Sequence, residues 1–227
     1  MRLDRLISRA RGTGRREVRG ILAKGVVKVN GVVVLNGRAD VGEFDRVELD
    51  GEVLQARRPV YVMLNKPAGY VSATVDDEHP TVMELLGDAF PDEELHIAGR
   101  LDRFSTGLLL LTNDGAWSRR LTVPDEEHPK VYLVETAEPI KPDTAETFAG
   151  GIYFGYEDLT TGPAELELLG ERRARLTIYE GKYHQVKRMF HAVGNRVVSL
   201  HREKVGPIAL DPELAEGEWR ELLPDEI

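Results

Sequence analysis

The stretch from Gly99 to Gly115, GRLDRFSTGLLLLTNDG, constrains this chain more than any other. It opens as a charged loop, passes Gly107, runs through four leucines at 108–111 and ends in Thr-Asn-Asp-Gly. Four consecutive apolar residues bounded by glycine and turn-forming residues predict a short strand buried on both faces. Such a strand fixes the loop before it, so Asp102 becomes a carboxylate presented from a rigid edge, with Arg100 and Arg103 beside it. A carboxylate held this way can do chemistry, whereas the same residues on a free loop would form a surface ion pair of little energetic consequence.

With 227 residues, 41% of them hydrophobic, the chain can bury one good core, or one core plus a small appended module. No apolar run approaches the roughly 18 residues that cross a membrane. The opening Met1-Arg-Leu-Asp-Arg5 lacks the apolar region of a signal peptide. A cytoplasmic protein with no membrane partner, acting as a monomer, is expected. The absence of cysteine excludes disulfides, a thiolate nucleophile and a Cys-type zinc site, and the six histidines show no HExxH spacing. A mechanism without metal or cofactor follows as the expectation.

Charge is unevenly spread. Residues 1–30 hold nine basic groups against two acidic ones, a balance of +7 in a chain whose net charge is -9, which leaves -16 on the remainder. A basic head on an acidic body is the signature of a localised phosphate-binding surface. In that head Leu3, Leu6, Ile7, Val18, Ile21 and Leu22 recur at helical spacing around Gly12-Thr13-Gly14, predicting two short helices. Val26–Val34 reads as a hairpin about Asn30-Gly31, and a third strand is expected at 46–49. Helix, helix, hairpin, strand, with arginines on the helices, resembles the RNA-binding module of the ribosomal protein S4 type. The expected division is therefore an S4-like α/β module at 1–58 and a second domain at 59–227, with a linker at 55–58. Arg2, Arg5, Arg15, Arg16 and Arg19 are its candidate RNA contacts, able to position a protein on RNA without reading sequence.

After Pro59, Val60–Leu64 predicts a strand, Asn65-Lys66-Pro67-Ala68-Gly69 a break, and Thr81–Leu86 the start of a short helix. Asp114–Leu121 predicts a helix with acidic residues at its start and arginines near its end, which makes Asn113 and Asp114 turn and cap residues. Lys130–Val134 predicts a strand whose alternation puts Lys130, Tyr132 and Val134 on one face. Ala174–Tyr179 is a further strand, followed by Gly181. On the next helix His184, Lys187, Arg188 and His191 form a basic stripe opposite Val186, Met189, Phe190 and Val193. Asn195–Ile208 is expected to be a strand ending in a Gly-Pro turn, and Gly217–Leu223 an edge segment.

These segments, in this order, resemble the pseudouridine synthases of the ribosomal small-subunit type. The matching residues are Gly99-Arg-Leu-Asp102 with Ser105 and Gly107-Leu-Leu-Leu-Leu-Thr-Asn-Asp-Gly115, Asn65-Lys66-Pro67 with Gly69, Lys130-Val-Tyr132, and Glu180-Gly181 with Gln185-Val-Lys-Arg-Met189. Phe104-Ser105 departs from the commoner spelling. The resemblance implies an α+β fold with a mixed, mainly antiparallel sheet, flanking helices and a central cleft. It also implies that Asp102 is the essential catalytic residue and that Tyr132 stacks on the target base. A basic residue two after Gln185, here Lys187, would pair with Asp102. Arginine is common at that position, and lysine cannot make a bidentate pair, so Arg188 competes for the role. Arg100, Lys66, Lys130 and Arg188 are the candidate substrate contacts of this domain.

The implied reaction breaks the bond from ribose C1′ to uracil N1, turns the base and rejoins it through C5. It is an isomerisation and needs an ionised carboxylate beside the sugar, acting by attack at C1′ or by proton removal from C2′, in a pocket that retains the freed base. A nearby cation must keep that carboxylate charged. By resemblance the target is 16S ribosomal RNA, free or in the assembling small subunit, at the uridine conventionally numbered 516. The rival readings are the same chemistry on 23S rRNA, a non-catalytic S4-type assembly factor, and a hydrolase with paired carboxylates. The last is weakened because no second acid sits at a comparable motif position.

Overall fold

The computed structural model describes residues 1–91, 94–123 and 128–227, and the chain forms two compact units, Met1–Pro59 and Val60–Ile227. The smaller unit starts with α1 (Leu3–Arg11) and α2 (Arg15–Ala23), followed by β1 (Val27–Val29), β2 (Val32–Val33), β3 (Val47–Leu49) and β4 (Glu52–Gln55). Gly12 ends α1 at φ 63°, a left-handed conformation that glycine adopts without steric cost, and its N–H closes onto Ser8 O. Leu3, Leu6 and Ile7 from α1 and Val18 and Leu22 from α2 bury against Val27, Val41, Val47 and Leu49. The four strands lie in the order β2-β1-β3-β4, and Asn30 and Gly31 turn the first hairpin at φ 50° and 81°. A second hairpin turns at Asp50-Gly51, with φ 53° and 83°, by the same Asx-Gly chemistry.

The larger unit carries β5 (Tyr61–Lys66), β6 (His96–Ala98), β7 (Thr106–Thr112), α3 (Gly115–Thr122), β8 (Lys130–Thr136), α4 (Thr144–Ala149), β9 (Tyr153–Phe154), β10 (Leu159–Thr160), β11 (Glu165–Leu168), β12 (Arg173–Ile178), α5 (Gln185–Ala192), β13 (Val197–Val205), β14 (Ile208–Ala209) and β15 (Trp219–Glu221). Its main sheet runs β11-β12-β8-β13-β7-β5-β15, with β14 on β13 and β6 on β7, while β9 and β10 form a separate ribbon. Every pairing in the main sheet is antiparallel except β13 with β7. The unit is thus a mixed, mainly antiparallel α+β sheet with helices against it.

β7 explains the four-leucine run. Its alternate side chains serve different cores: Leu109 and Leu111 pack with Tyr132, Val134, Phe148, Met189 and Phe190, while Leu108 and Leu110 pack with Met63, Trp117, Leu121, Val205 and Ile208. All four are fully buried, each contributing roughly 2 kcal/mol. At the start of β7, Gly107 has φ 97°, and an added Cβ would lie 2.4 Å from Arg202 O and 2.8 Å from Arg202 N, so only glycine lets β13 come alongside. At its end Asp114 caps α3, accepting from Ala116 N at 2.9 Å and Trp117 N at 3.0 Å, and Asn113 Oδ1 accepts from Val60 N at 2.8 Å. Burial raises the Asp114 carboxyl, but these N–H groups and the Tyr61 hydroxyl outweigh it and hold it below its ordinary value. Tyr61 is pushed up to about 12, by burial and by donating to Asp114.

One expected element differs. Thr81–Leu86 forms turns, not a helix: Glu84 N donates to Thr81 O, Leu86 N to Met83 O and Gly87 N to Glu84 O, all three residues back. The cause lies upstream, where Val71 N donates to Pro80 O and Val82 N to Val71 O. That bridge takes the first residues of the segment, and Gly87, at φ 54°, turns the chain before an α-helical ladder can form.

Candidate active site

Asp102 sits in the loop between β6 and β7, and the loop is held from three sides. Lys66, at the end of β5, is fully buried, and its ammonium donates to Pro67 O at 3.0 Å, Arg103 O at 3.1 Å and Ser105 O at 2.9 Å. Arg202 on β13 is also buried and donates to Leu108 O at 2.8 Å, Gly99 O at 2.7 Å and Arg100 O at 3.3 Å. Ser72 Oγ donates to Leu101 O at 2.8 Å, and Leu101 N donates back to it at 3.1 Å. Carbonyls that would otherwise be buried without partners are thereby satisfied, which fixes the backbone on both sides of Asp102.

The carboxylate meets two side chains from the start of α5. Lys187 Nζ donates to Oδ2 at 2.6 Å, and His184 Nε2 lies 3.3 Å from Oδ1. α5 is oriented by its apolar face: Val186, Met189 and Phe190 enter the core, with Phe190 edge-on to Phe148 at 5.1 Å. The turn before it is locked by Gln185, which donates to Glu180 Oε1 at 2.7 Å and accepts from Lys182 N at 2.9 Å. Glu180 in turn accepts from Gly162 N at 3.0 Å and pairs with Lys182. Lys187 therefore reaches Asp102 from a braced helix.

Asp102 and His184 line a cleft of about 640 Å³ whose wall also includes Arg100, Lys130, Tyr132 and Arg202. A smaller hollow beside it is lined by Asp102, Ser105, Tyr132, His184 and Lys187. Tyr132 and Lys130 are both buried on β8, on the sheet face that alternation predicts. Burial pushes the Lys66 ammonium down to about 8; the Asp102 charge works against that shift, and Lys187 and Arg202 add to it. No group of three or more His, Asp or Glu that could hold a metal ion occurs among the described residues, nor is any helix among them long and apolar enough to cross a membrane.

Several sequence assignments change. Lys66 is no surface contact for RNA, because its three donors are spent on loop carbonyls inside the protein. Arg188 does not compete for Asp102: its guanidinium pairs with Glu157, donates to Tyr183 O at 3.3 Å and lies 3.8 Å over the Phe154 ring. His184 is not part of a helical stripe but precedes α5 in a left-handed conformation, φ 49° and ψ 30°. Arg100 is exposed and lines the cleft. Sequence reasoning missed Arg202 and Gln185 as supports and His184 as a neighbour of Asp102. Gln185 and His184 lie inside a segment whose resemblance it used and Arg202 in an expected strand, and only His184 announced itself chemically, as a histidine beside a basic motif.

In the smaller unit Arg2, Arg5, Arg9 and Arg15 line one hollow with Asp4 and Ser8, and Arg2, Arg15, Arg19 and Arg38 line another with Asp4. Arg2 pairs with Asp4, whose carboxyl is lowered chiefly by that bond. Arg16 is exposed on α2 outside both hollows.

The model of the RNA pseudouridylate synthase family matches residues 60–192. Relatives described as ribosomal small subunit pseudouridine synthase A are 52% identical in Pseudomonas aeruginosa, covering 100% of this chain and 99% of the relative, and 48% identical in Escherichia coli strain K12, covering 100% and 98%. A crystal structure described as a pseudouridylate synthase superposes with a TM-score of 0.71 at 41% identity, covering 100% of this chain and 97% of that one. The family match and the full-length likeness agree, and the chain belongs to the RNA pseudouridine synthase family of isomerases.

Proposed function

We propose that this enzyme converts one uridine of small-subunit 16S ribosomal RNA to pseudouridine, with Asp102 as the catalytic carboxylate. The observation that carries the reading is Asp102 itself, held by a fixed loop at a cleft it shares with Tyr132, with Lys187 2.6 Å from one oxygen. In this reading the target nucleotide leaves the RNA stack and enters the cleft, where the Tyr132 ring supports the base and Asp102 meets the ribose. Lys187 supplies the counter-charge to the carboxylate, and Arg100 contacts the RNA backbone at the rim. The basic hollows of residues 1–59 serve as the phosphate-binding head, in the manner of an S4-type module. The small-subunit assignment draws on the description of the full-length relatives, and the uridine conventionally numbered 516 on the sequence resemblance alone.

Mapping pseudouridine in both ribosomal RNAs of a strain lacking the protein tests this. The expected result is loss at one small-subunit position, restored by the unaltered gene and not by one encoding Asp102→Asn. Loss confined to 23S RNA would keep the chemistry and change the substrate. An unaltered map would favour the non-catalytic assembly factor.

A further inference from the structure

When a target uridine leaves its stack, the nucleotides on either side of it each lose a stacking partner, and that loss opposes its entry into the cleft. Tyr132 is buried on the cleft wall and can serve only the base that enters. We propose that Tyr183 is a further substrate-positioning residue, whose open ring face stacks on the base of a nucleotide adjoining the target. The inference rests on the proposed entry of the target uridine into the Asp102 cleft.

Tyr183 is 77% exposed and lines the same cleft as Asp102. One face of its ring lies on the His184 imidazole, with centroids 3.9 Å apart and planes 19° from parallel. The opposite face is left open, and the hydroxyl has no hydrogen-bond partner among the described residues, so the ring is presented for its π surface. His184 in turn approaches Asp102, Nε2 to Oδ1 at 3.3 Å, which sets the open face one ring beyond the residue beside the carboxylate. A base adjoining a target whose ribose meets Asp102 leaves the cleft past this rim. The ring is also fixed in advance. Gln185 N donates to Lys182 O at 3.1 Å and Lys182 N to Gln185 Oε1 at 2.9 Å, closing the turn that carries Tyr183, and Arg188 donates to Tyr183 O at 3.3 Å. A side chain ordered before binding loses little rotamer freedom when a base settles on it. Single exposed aromatic rings are ordinary on a protein surface. Phe104, Tyr153 and Tyr156 are such rings, and none of them lines the cleft. Because every base has a π face, the contact adds affinity without reading sequence.

The test is a coupling cycle on the full chain. It uses the RNA that the pseudouridine map identifies as substrate, and two further RNAs in which the nucleotide on the 5′ or the 3′ side of the target is abasic. On the intact RNA, Tyr183→Ala should lower kcat/KM roughly 10-fold, the size of one base–aromatic stack. Tyr183→Phe, which keeps the ring, should recover most of that loss. On one of the two abasic RNAs the loss from Tyr183→Ala should shrink to less than about 2-fold, because the base that used the ring is gone. An equal loss on all three RNAs would overturn the proposal and leave Tyr183 only a prop for the His184 ring. No loss on the intact RNA would overturn it as well. Asp102→Asn, measured alongside, keeps the two readings apart: turnover by that variant would remove the Asp102 reading, whereas an uncoupled Tyr183→Ala removes only this one.

Discussion

Lys187 and Asp102 are 85 residues apart in sequence, yet Nζ and Oδ2 meet at 2.6 Å. Their side chains are 34% and 26% exposed, so solvent reaches the pair but does not dissolve it. Two rigid supports bring them together: a helix fixed by Met189 and Phe190 in the core, and a loop fixed by Lys66 and Arg202.

The proposed role of this pair predicts that Lys187→Met lowers kcat roughly 10²-fold, the loss of one charge placed at a reacting group. Arg188→Met should cost far less, because that guanidinium is held by Glu157 and Phe154. Measuring both variants on the same RNA distinguishes them, and the reverse order of effects would return the pairing role to Arg188.

Lys66→Met should destabilise the larger unit by about 3 kcal/mol, since three loop carbonyls lose their donor. The pH dependence has a definite sign. The folded-state value of Lys66 is pushed down to about 8 from 10.5, so between these values the unfolded chain binds the extra proton and the group's contribution to stability rises with pH. The gap between unaltered and Lys66→Met proteins in urea unfolding should be flat below pH 8 and widen from pH 8 to 10.5. A gap that narrows over that range would contradict the assignment.

Gly107→Ala should cost roughly 3 kcal/mol, because the new Cβ meets the Arg202 backbone at 2.4 Å and φ is 97°. Denaturant unfolding reads this directly. A variant as stable as the unaltered protein would mean that β13 does not need this close approach.

For the proposed RNA-binding head, the double variant Arg15→Ala with Arg19→Ala should weaken RNA binding regardless of sequence. It should also reduce the slope of log affinity against log salt by about 1.5, since each lost phosphate contact removes roughly 0.7 to 0.9. An unchanged slope would leave those arginines without that role.

Much of this was legible in the sequence because its strongest signals are local. Asn30-Gly31 turns the chain where its own backbone chemistry says it should, and a four-leucine run can be satisfied only between two cores. The alternation at Lys130, Tyr132 and Val134 survives intact as one buried face. What escaped depends on distant partners. Nothing in Asn65-Lys66-Pro67 reveals that the ammonium will find carbonyls 37 and 39 residues away, and nothing in Leu200-His-Arg202 reveals a clamp on Gly99. The turns at Thr81–Leu86 follow from a bridge to Val71, and His184 leaves the helical pattern because Gln185 and Glu180 fix the turn before α5.

The most direct measurement is release of tritium from RNA labelled at uridine C5, with unaltered protein and with Asp102→Asn. The account predicts stoichiometric release by the unaltered protein and none by the variant, with RNA affinity preserved in both. Sustained release by Asp102→Asn would contradict it.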